Sequence, residues 1–137
     1  MESINIRLLN DTDYDNILVG WWKEWGWEAP PKDFLPNDGA GGMIVFDDDT
    51  PICAGFLYMT NSKASWIDWI ISSKTYTDRE KRKYAISLLI STLTGLSKDM
   101  GNKYAYALIK HDNLIKTYQS LGYIKGESYQ SEMIKIL

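Results

Sequence analysis

Residues 77–101 read TDREKRKYAISLLISTLTGLSKDMG, and their pattern predicts the longest helix of the chain. Thr77 followed by Glu80 has the spacing of a capping box, and Gly101 is a residue type at which helices commonly end. Between them, apolar side chains recur at the spacing of one helical face: Ile86, Leu89, Leu93, Leu96 and Met100. The sequence therefore predicts a helix that begins near Asp78 and ends at Gly101.

Two apolar segments flank this helix, and both are predicted strands. Ala64–Ser72 precedes the helix, and Lys103–Ile109 follows it with apolar side chains at most positions. A helix that links two strands of one sheet makes them parallel, whereas the short turns that join Met43–Phe46, Ile52–Thr60 and Ala64–Ser72 predict an antiparallel meander. We therefore expect a mixed sheet.

The N-terminal third adds a strand, a helix and a long loop. Residues 4–8 alternate between apolar and polar side chains, as a half-buried strand does. The next apolar face runs from Tyr14 to Trp25 at helical spacing and stops at Gly26. Residues 29–42 are rich in Pro and Gly, so we expect a surface loop there.

The C-terminal part predicts one short helix and two strands. Asp112 caps the helix and Gly122 stops it, and the strands are Tyr123–Lys125 and Tyr129–Ile136. The complete order is then β-α-β-β-β-α-β-α-β-β. The expected fold is one α/β (α+β) domain over residues 1–137, with a mixed sheet of about seven strands and helices on both faces.

Composition excludes several classes of protein. The 137 residues are 45% hydrophobic and 24% charged with a net charge of -3, which is typical of a globular domain and gives no reason to expect a nucleic-acid partner. Cys53 is the only cysteine, and no apolar run approaches the roughly 18 residues that span a bilayer, so we expect a cytoplasmic protein without a membrane partner. A homodimer is left open.

The segment His111–Tyr123, HDNLIKTYQSLGY, carries a resemblance to a known family. It resembles the late motif of GNAT acyltransferases, in which a polar residue opens a short helix that bears a tyrosine, followed by Gly and an aromatic residue. The resemblance implies an N-acetyltransferase that moves an acetyl group from acetyl-CoA to an amine, either a small molecule or a protein or peptide. It also implies that the tyrosine, here Tyr118, protonates the departing thiolate as general acid.

The chemistry of a phenol suits that role, because its reference pKa near 10 keeps it protonated at neutral pH. The alternative is that Tyr118 is a core aromatic residue in register with Leu114 and Leu121. In the same motif the resemblance permits Asn113 or His111 to contact the cofactor, and helix capping is the alternative for both. His111 has no metal-ligand partner at usable spacing, so no metal site is expected.

The resemblance also places the remaining acetyl-CoA contacts. The family carries small residues in a loop that cradles the pyrophosphate, whereas this chain has only Ala85 as a small residue and a lysine, Lys83, at a glycine position. Basic side chains are therefore expected to replace part of the cradle, and the alternative is an exposed basic helix face. The implied contacts are Ile70, Ile71, Ser72, Arg79, Lys81, Arg82, Lys83, Tyr84, Ala85, Asn113 and Tyr118.

Two different starts are possible for the long helix predicted in residues 77–101. The capping box begins the helix near Asp78, whereas a family-like loop would delay its start to about Tyr84.

Ile70, Ile71 and Ser72 are expected to present backbone groups to the pantetheine arm, and ordinary strand pairing is the alternative.

A base is needed to deprotonate the amine, and Asp68 is the candidate. It lies mid-strand among apolar residues, where burial would raise its pKa toward neutrality. A solvent-exposed or structurally paired Asp68 is the alternative, and Glu24 is a weaker candidate. Trp27, Phe34 and Leu35 are the expected walls of an acceptor pocket.

Two other functions fit the same sequence. The missing glycines of the phosphate loop suit a GNAT-like module that binds or regulates without catalysis. The six tryptophans suit an unrelated α+β interaction domain with an aromatic docking surface. The acceptor loops follow no general code, so the sequence leaves the amine unidentified.

Overall fold

A computed structural model describes residues 1–129 and 131–137. The chain begins with β1, and a π-helical turn, Tyr14–Leu18, leads directly into α1. Two short 3-10 turns, Lys32–Phe34 and Pro36–Gly39, occupy the long loop. The strands and helices are β1 (Ile4–Leu8), α1 (Val19–Glu24), β2 (Gly42–Asp47), β3 (Thr50–Tyr58), β4 (Ala64–Ser72), α2 (Arg79–Asp99), β5 (Tyr104–Tyr106) and α3 (Asp112–Ser120).

The strands form one mixed sheet in the order β1-β2-β3-β4-β5. The first four strands are antiparallel neighbours, and β5 runs parallel to β4 with Ala64 opposite Tyr104 and Trp66 opposite Tyr106. The parallel pair is the one that α2 links, as the crossover pattern predicts. The predicted mixed sheet is confirmed.

Each face of the sheet carries its own apolar core. On one face, α1 and the long loop bury Leu18, Trp21, Trp22 and Leu35 against Ile44 and Phe56. On the other face, α2 buries Ala85, Leu89 and Leu93 against Val45, Cys53 and Ile67. Helices on both faces were expected, and these two cores explain why strands β2 to β4 contain so many apolar residues.

A bulge interrupts β4 at Trp69. The register slips here, with Phe56 opposite Asp68 but Ala54 opposite Ile71, and Trp69 adopts a φ of 57°. A bulge places one extra residue on a strand, so it changes which face the following side chains occupy. Trp69 accordingly packs against the α1 core, while Ile70 packs against the α2 core.

The part of the chain that the structure describes contains five strands rather than about seven. The predicted strand Lys103–Ile109 shrinks to Tyr104–Tyr106, because the amide of Leu108 donates to the Asp68 carboxylate at 3.0 Å and not to a strand. The described parts of the two predicted final strands, residues 123–125, 129 and 131–136, are not in strands, and Gln130 lies outside the described residues. Alternation alone predicted them, but a strand also needs a hydrogen-bonded neighbour.

The start of α2 settles the two alternatives for that helix. It begins at Arg79, and the side chain of Asp78 caps it by accepting a hydrogen bond from the Lys81 amide at 3.1 Å. This start agrees with the predicted start near Asp78 and excludes the delayed start at Tyr84. The predicted capping box of Thr77 and Glu80 is wrong, because Asp78 is the cap and satisfies the first-turn amide one residue later than the box requires. The basic residues 79–83 are therefore helical.

An ion pair joins β1 to the first helical turn. Arg7 donates from both terminal nitrogens to Asp13, at 2.7 and 3.0 Å, and the Asn10 amide donates to the same carboxylate at 2.8 Å. Burial opposes ionisation of Asp13, but these hydrogen bonds and the Arg7 charge outweigh it, so the pKa of Asp13 lies below its usual value.

This ion pair predicts an acid-sensitive part of the stability. A carboxylate with a lowered pKa stabilises the fold above its unfolded-state pKa of about 3.9, and the contribution is lost as pH falls through the lower folded-state value. Asp13→Asn should therefore lose about 1–3 kcal/mol in urea unfolding at pH 7 and much less at pH 3. The exposed neighbour Asp11→Asn should change little at either pH. An equal loss for Asp13→Asn at both pH values would contradict this prediction.

Candidate active site

The parallel strands β4 and β5 separate after a short paired stretch. Their last pair is Trp66 with Tyr106, and beyond it β4 continues to Ser72 while β5 ends. Among the described residues, no strand therefore lies beside this edge of β4 from Ile67 onward. Backbone groups on such an edge that no side chain engages can bind a ligand.

A cavity of about 650 Å³ lies beside this separated part of β4. Its walls come from the end of α1 and the residues after it, from β4, from one face of α2 and from one face of α3. The residues that line it are Trp25, Trp27, Ile70, Ile71, Ser72, Arg79, Arg82, Lys83, Ile86, Ser87, His111, Asn113, Leu114, Lys116, Thr117 and Ser120. The predicted contacts Ile70, Ile71, Ser72, Arg79, Arg82, Lys83 and Asn113 thus come together.

The cavity carries positive charge without a compensating carboxylate. Arg79, Arg82, Lys83 and Lys116 line it, and no Asp or Glu is among the described residues of its wall. The lining is otherwise apolar or hydroxyl-bearing. Such a wall suits a ligand with an anionic group and an uncharged arm.

Arg82 also holds the backbone at the mouth of the cavity. Its guanidinium donates to the backbone oxygens of Ser73 and Tyr76, which holds the connection between β4 and α2. Its Nε is buried and has no hydrogen-bond partner among the described residues. A buried donor without a partner is costly, so an acceptor such as a phosphate oxygen would fit this position.

Four predicted contacts lie outside the cavity wall, namely Tyr118, which is described below, and three residues of α2. The Lys81 ammonium lies 3.4 Å from the Asp47 carboxylate, across the helix from the cavity. Tyr84 is exposed to solvent, and Ala85 is fully buried in the α2 core. One helix presents only about half its positions to one side, so these three could not join Arg79, Arg82 and Lys83 once the segment became helical.

Tyr118 is buried beside the point where the strands separate. Its hydroxyl donates to the Ile67 carbonyl at 2.9 Å, its ring packs edge-on against Tyr123, and only 2% of the residue is exposed. Burial, and then the nearby Asp68 and Tyr123 groups, raise the pKa of Tyr118 far above its usual value, so the phenol keeps its proton. Tyr118 does not line the cavity.

Asp68 spans the gap between the strands. Its two carboxylate oxygens accept from the Leu108 amide at 3.0 Å and from the Trp69 amide at 2.9 Å. Burial raises the pKa of Asp68, and these two amides offset part of that rise. Glu24, the weaker candidate for the base, accepts from the Lys74 amide at 3.2 Å.

Only part of the aromatic stacking at the cavity was predicted from the sequence. Trp25 donates its indole N–H to the Ser72 carbonyl at 2.8 Å and stacks on Trp27, with ring centroids 5.6 Å apart. Trp27 in turn stacks on His111 at 6.1 Å. The sequence placed Trp25 in the helix core and Trp27 at an acceptor pocket, but both line the cavity between β4, α2 and α3. Helical spacing alone could not reveal this contact with α3.

Three polar residues of α3 that line the cavity were also not predicted, although their spacing in the sequence indicates them. Lys116, Thr117 and Ser120 line the cavity together with Asn113. These four positions have the 3- and 4-residue spacing of one helix face. Once Asn113 is taken as a contact, that spacing predicts the other three.

Comparisons with known proteins give structural matches only. No protein-family model matches the sequence, and no curated protein matches it. An aminoglycoside acetyltransferase from an uncultured soil metagenomic sample, solved with trehalose, has a TM-score of 0.67 at 10% identity, covering 98% of this chain and 97% of that one. AAC(6')-Iy, solved with the bisubstrate analogue CoA-S-monomethyl-acetylneamine, has a TM-score of 0.65 at 17% identity, covering 97% and 99%.

A third similar structure is also an acetyltransferase. Glucosamine-6-phosphate N-acetyltransferase from Arabidopsis thaliana has a TM-score of 0.66 at 11% identity, covering 96% of this chain and 99% of that one. All three are acetyltransferases, and the similarity extends over nearly the full length of each chain. The chain has the GNAT acetyltransferase fold.

Proposed function

We propose that this protein is an N-acetyltransferase that takes the acetyl group from acetyl-CoA and transfers it to an amine. The observation that carries the proposal is the carboxylate-free, positively charged cavity beside the separated edge of β4. The fold supports it, because similar structures include acetyltransferases solved with CoA or with a CoA bisubstrate analogue.

The cavity offers a distinct partner for each part of acetyl-CoA. Arg79 and Lys83, at the N-terminal end of α2, would pair with the pyrophosphate, and the unpartnered Nε of Arg82 would donate to one of its oxygens. The backbone of residues 70–72 would bind the amide groups of the pantetheine arm. Lys116 and Asn113 on α3 would contact the nucleotide end or the arm from the opposite wall.

The proposed reaction is a direct attack of the amine on the thioester carbonyl carbon. A carbon–nitrogen bond forms, the carbon–sulfur bond breaks, and the sulfur leaves as a thiolate. The ammonium form of the amine first gives one proton to Asp68 and attacks as the neutral amine. The thiolate then takes the proton of Tyr118, and the second proton of the amine nitrogen restores the Tyr118 phenol. Asp68 suits the base role because burial raises its pKa toward neutrality.

Tyr118 can act as the acid only after its hydrogen bond is exchanged. The hydroxyl proton is donated to the Ile67 carbonyl, next to the gap in which the thioester would lie. The proposal therefore includes a small turn of the phenol from Ile67 to the thiolate when acetyl-CoA is bound. This requirement makes Tyr118 the first residue of the mechanism to test.

A tyrosine substitution tests the proposed acid. In Tyr118→Phe, kcat for acetyl transfer should fall at least about 100-fold, because one positioned acid typically contributes that much. The affinity for acetyl-CoA in calorimetry should remain within about threefold, since Tyr118 does not line the cavity. Thr117→Val, a neighbouring change on the cavity face, is the comparison that should alter affinity rather than kcat. An unchanged kcat in Tyr118→Phe would remove its catalytic role.

A second candidate function rests on the same observations. Lys83 lies where the family carries a glycine, and the Tyr118 proton is already engaged, which suits a module that binds acetyl-CoA without transferring its acetyl group. Calorimetry with acetyl-CoA and a thiol-release assay over a panel of amines separate the two functions. Binding with release of free CoA thiol supports the enzyme, binding without it supports the module, and no binding rejects both.

A further inference from the structure

A second site lies across the gap from the cavity. The side chain of Phe56, opposite Asp68 in the register, belongs to the α1 core, so Asp68 projects from the face of the sheet that carries α1 and the long loop. The cavity lies mainly between β4, α2 and α3, with Trp25 and Trp27 at its α1 end, and Asp68 is not in its wall. The face on which Asp68 projects is therefore a separate side from which an amine can approach a thioester held in the cavity.

Aromatic side chains surround Asp68 on that face. Trp66 packs on Tyr106 with ring centroids 4.6 Å apart, and Trp69 meets Phe34 edge-on at 5.7 Å. The Tyr58 hydroxyl donates to the Phe34 carbonyl at 3.2 Å, which ties the long loop to the sheet. Phe34 and Tyr106 remain 43% and 42% exposed, so the rings form an open wall rather than a closed core.

The carboxylate within this wall has no cationic partner. None of the ion pairs among the described residues involves Asp68, and its hydrogen bonds come from two uncharged backbone amides. The ionisable groups whose pKa the Asp68 charge raises are Tyr58 and Tyr118, both uncharged phenols at neutral pH. A half-buried carboxylate without a counterion is unfavourable, and a cation delivered by a ligand would relieve that cost.

We propose that the aromatic face around Asp68 binds the acceptor, and that the acceptor is a compact primary amine with one ammonium group and an apolar or aromatic body. This proposal rests on the proposed acetyl transfer. The ammonium pairs with Asp68, and the body lies against Phe34, Trp66, Trp69 and Tyr106. Aromatic faces attract cations and bury apolar surface, whereas a single carboxylate provides nothing for a second or third ammonium. A polycationic amine is therefore a poor fit.

Binding of 2-phenylethylamine to the full chain, measured by calorimetry with and without CoA, tests this site independently of catalysis. The matched probe 2-phenylethanol lacks the charge and should bind at least about tenfold more weakly, since hydrogen bonds to charged groups are the stronger ones. Spermidine, which has the charges without the aromatic body, should also bind more weakly. Equal binding of 2-phenylethylamine and 2-phenylethanol, or tighter binding of spermidine, would overturn the proposal.

Two variants locate the site. Asp68→Asn should weaken 2-phenylethylamine about 10- to 100-fold, with Asp99→Asn, an exposed carboxylate at the end of α2, as the unaffected control. Phe34→Ala should weaken it severalfold without unfolding the protein, because the side chain is exposed, and Met100→Ala, also exposed, should not. Affinity for CoA should be unchanged in all four variants. Unaltered amine binding in both Asp68→Asn and Phe34→Ala would place the acceptor elsewhere.

Failure of this inference is distinguishable from failure of the proposed function. If acetyl-CoA does not bind, acetyl transfer is rejected, while amine binding at Asp68 is still measured on its own. If acetyl transfer occurs with other amines and 2-phenylethylamine does not bind, the enzyme stands and the acceptor class is wrong.

Discussion

Ser87→Trp is expected to weaken acetyl-CoA binding at least about 100-fold and to abolish acetyl transfer. Ser87 lines the cavity from α2, between Lys83 on the preceding turn and the facing wall of α3. An indole at this position would occupy space inside the cavity of about 650 Å³ that the pantetheine arm requires. A loss of this size corresponds to about 2.7 kcal/mol of binding free energy, which calorimetry measures directly.

Ser91→Trp is the matched control for this variant. Ser91 lies one turn further along α2 and is exposed to solvent. The same substitution there should leave acetyl-CoA affinity within about twofold, and both variants should melt within a few degrees of the parent protein because neither residue lies in a core. Equal affinities in the two variants would show that acetyl-CoA binds outside this cavity.

Periodicity and connectivity allowed much of the site to be predicted. The helical pattern of residues 77–101 between two apolar strands required a crossover, and the crossover brought Ile70, Ile71 and Ser72 to the edge beside α3. The position of Asn113 followed from the short helix after the last strand. These features depend on local spacing and chain order, which a single sequence contains.

Long-range contacts account for the parts that were wrong or missed. Asp78 caps α2, so Lys81 turns toward Asp47 and leaves the basic cluster divided between two sides of one helix. The Nη2 of Arg82 donates to the backbone oxygens of Ser73 and Tyr76. Stacking of Trp27 on His111 joins segments more than 80 positions apart in the numbering. No local pattern encodes such partners, because each depends on where another element packs.

Gly42→Ala is expected to destabilise the fold by at least about 3 kcal/mol, or to prevent folding. A Cβ atom on Gly42 would lie 1.9 Å from the carbonyl oxygen of Gly55, and backbone cannot rotate away as a flexible side chain can. Gly42 also accepts a hydrogen bond from the Leu9 amide at 2.9 Å, so β2 is held on both sides at this point. Urea unfolding at pH 7 gives the free energy directly.

Gly95→Ala should change the free energy of unfolding in the opposite direction, which makes it the matched control. Gly95 is exposed in the C-terminal part of α2, and an added Cβ would meet no atom of a neighbouring element within 4 Å, so alanine should stabilise the helix by about 0.5–1 kcal/mol. Gly42 is connected to the candidate site through the sheet, because it pairs with Phe56, and Phe56 lies opposite Asp68. Strands β2 and β3 forced apart at Gly42 would therefore displace the strand that pairs with Asp68. A Gly42→Ala protein as stable as its parent would contradict the close approach of β2 to β3.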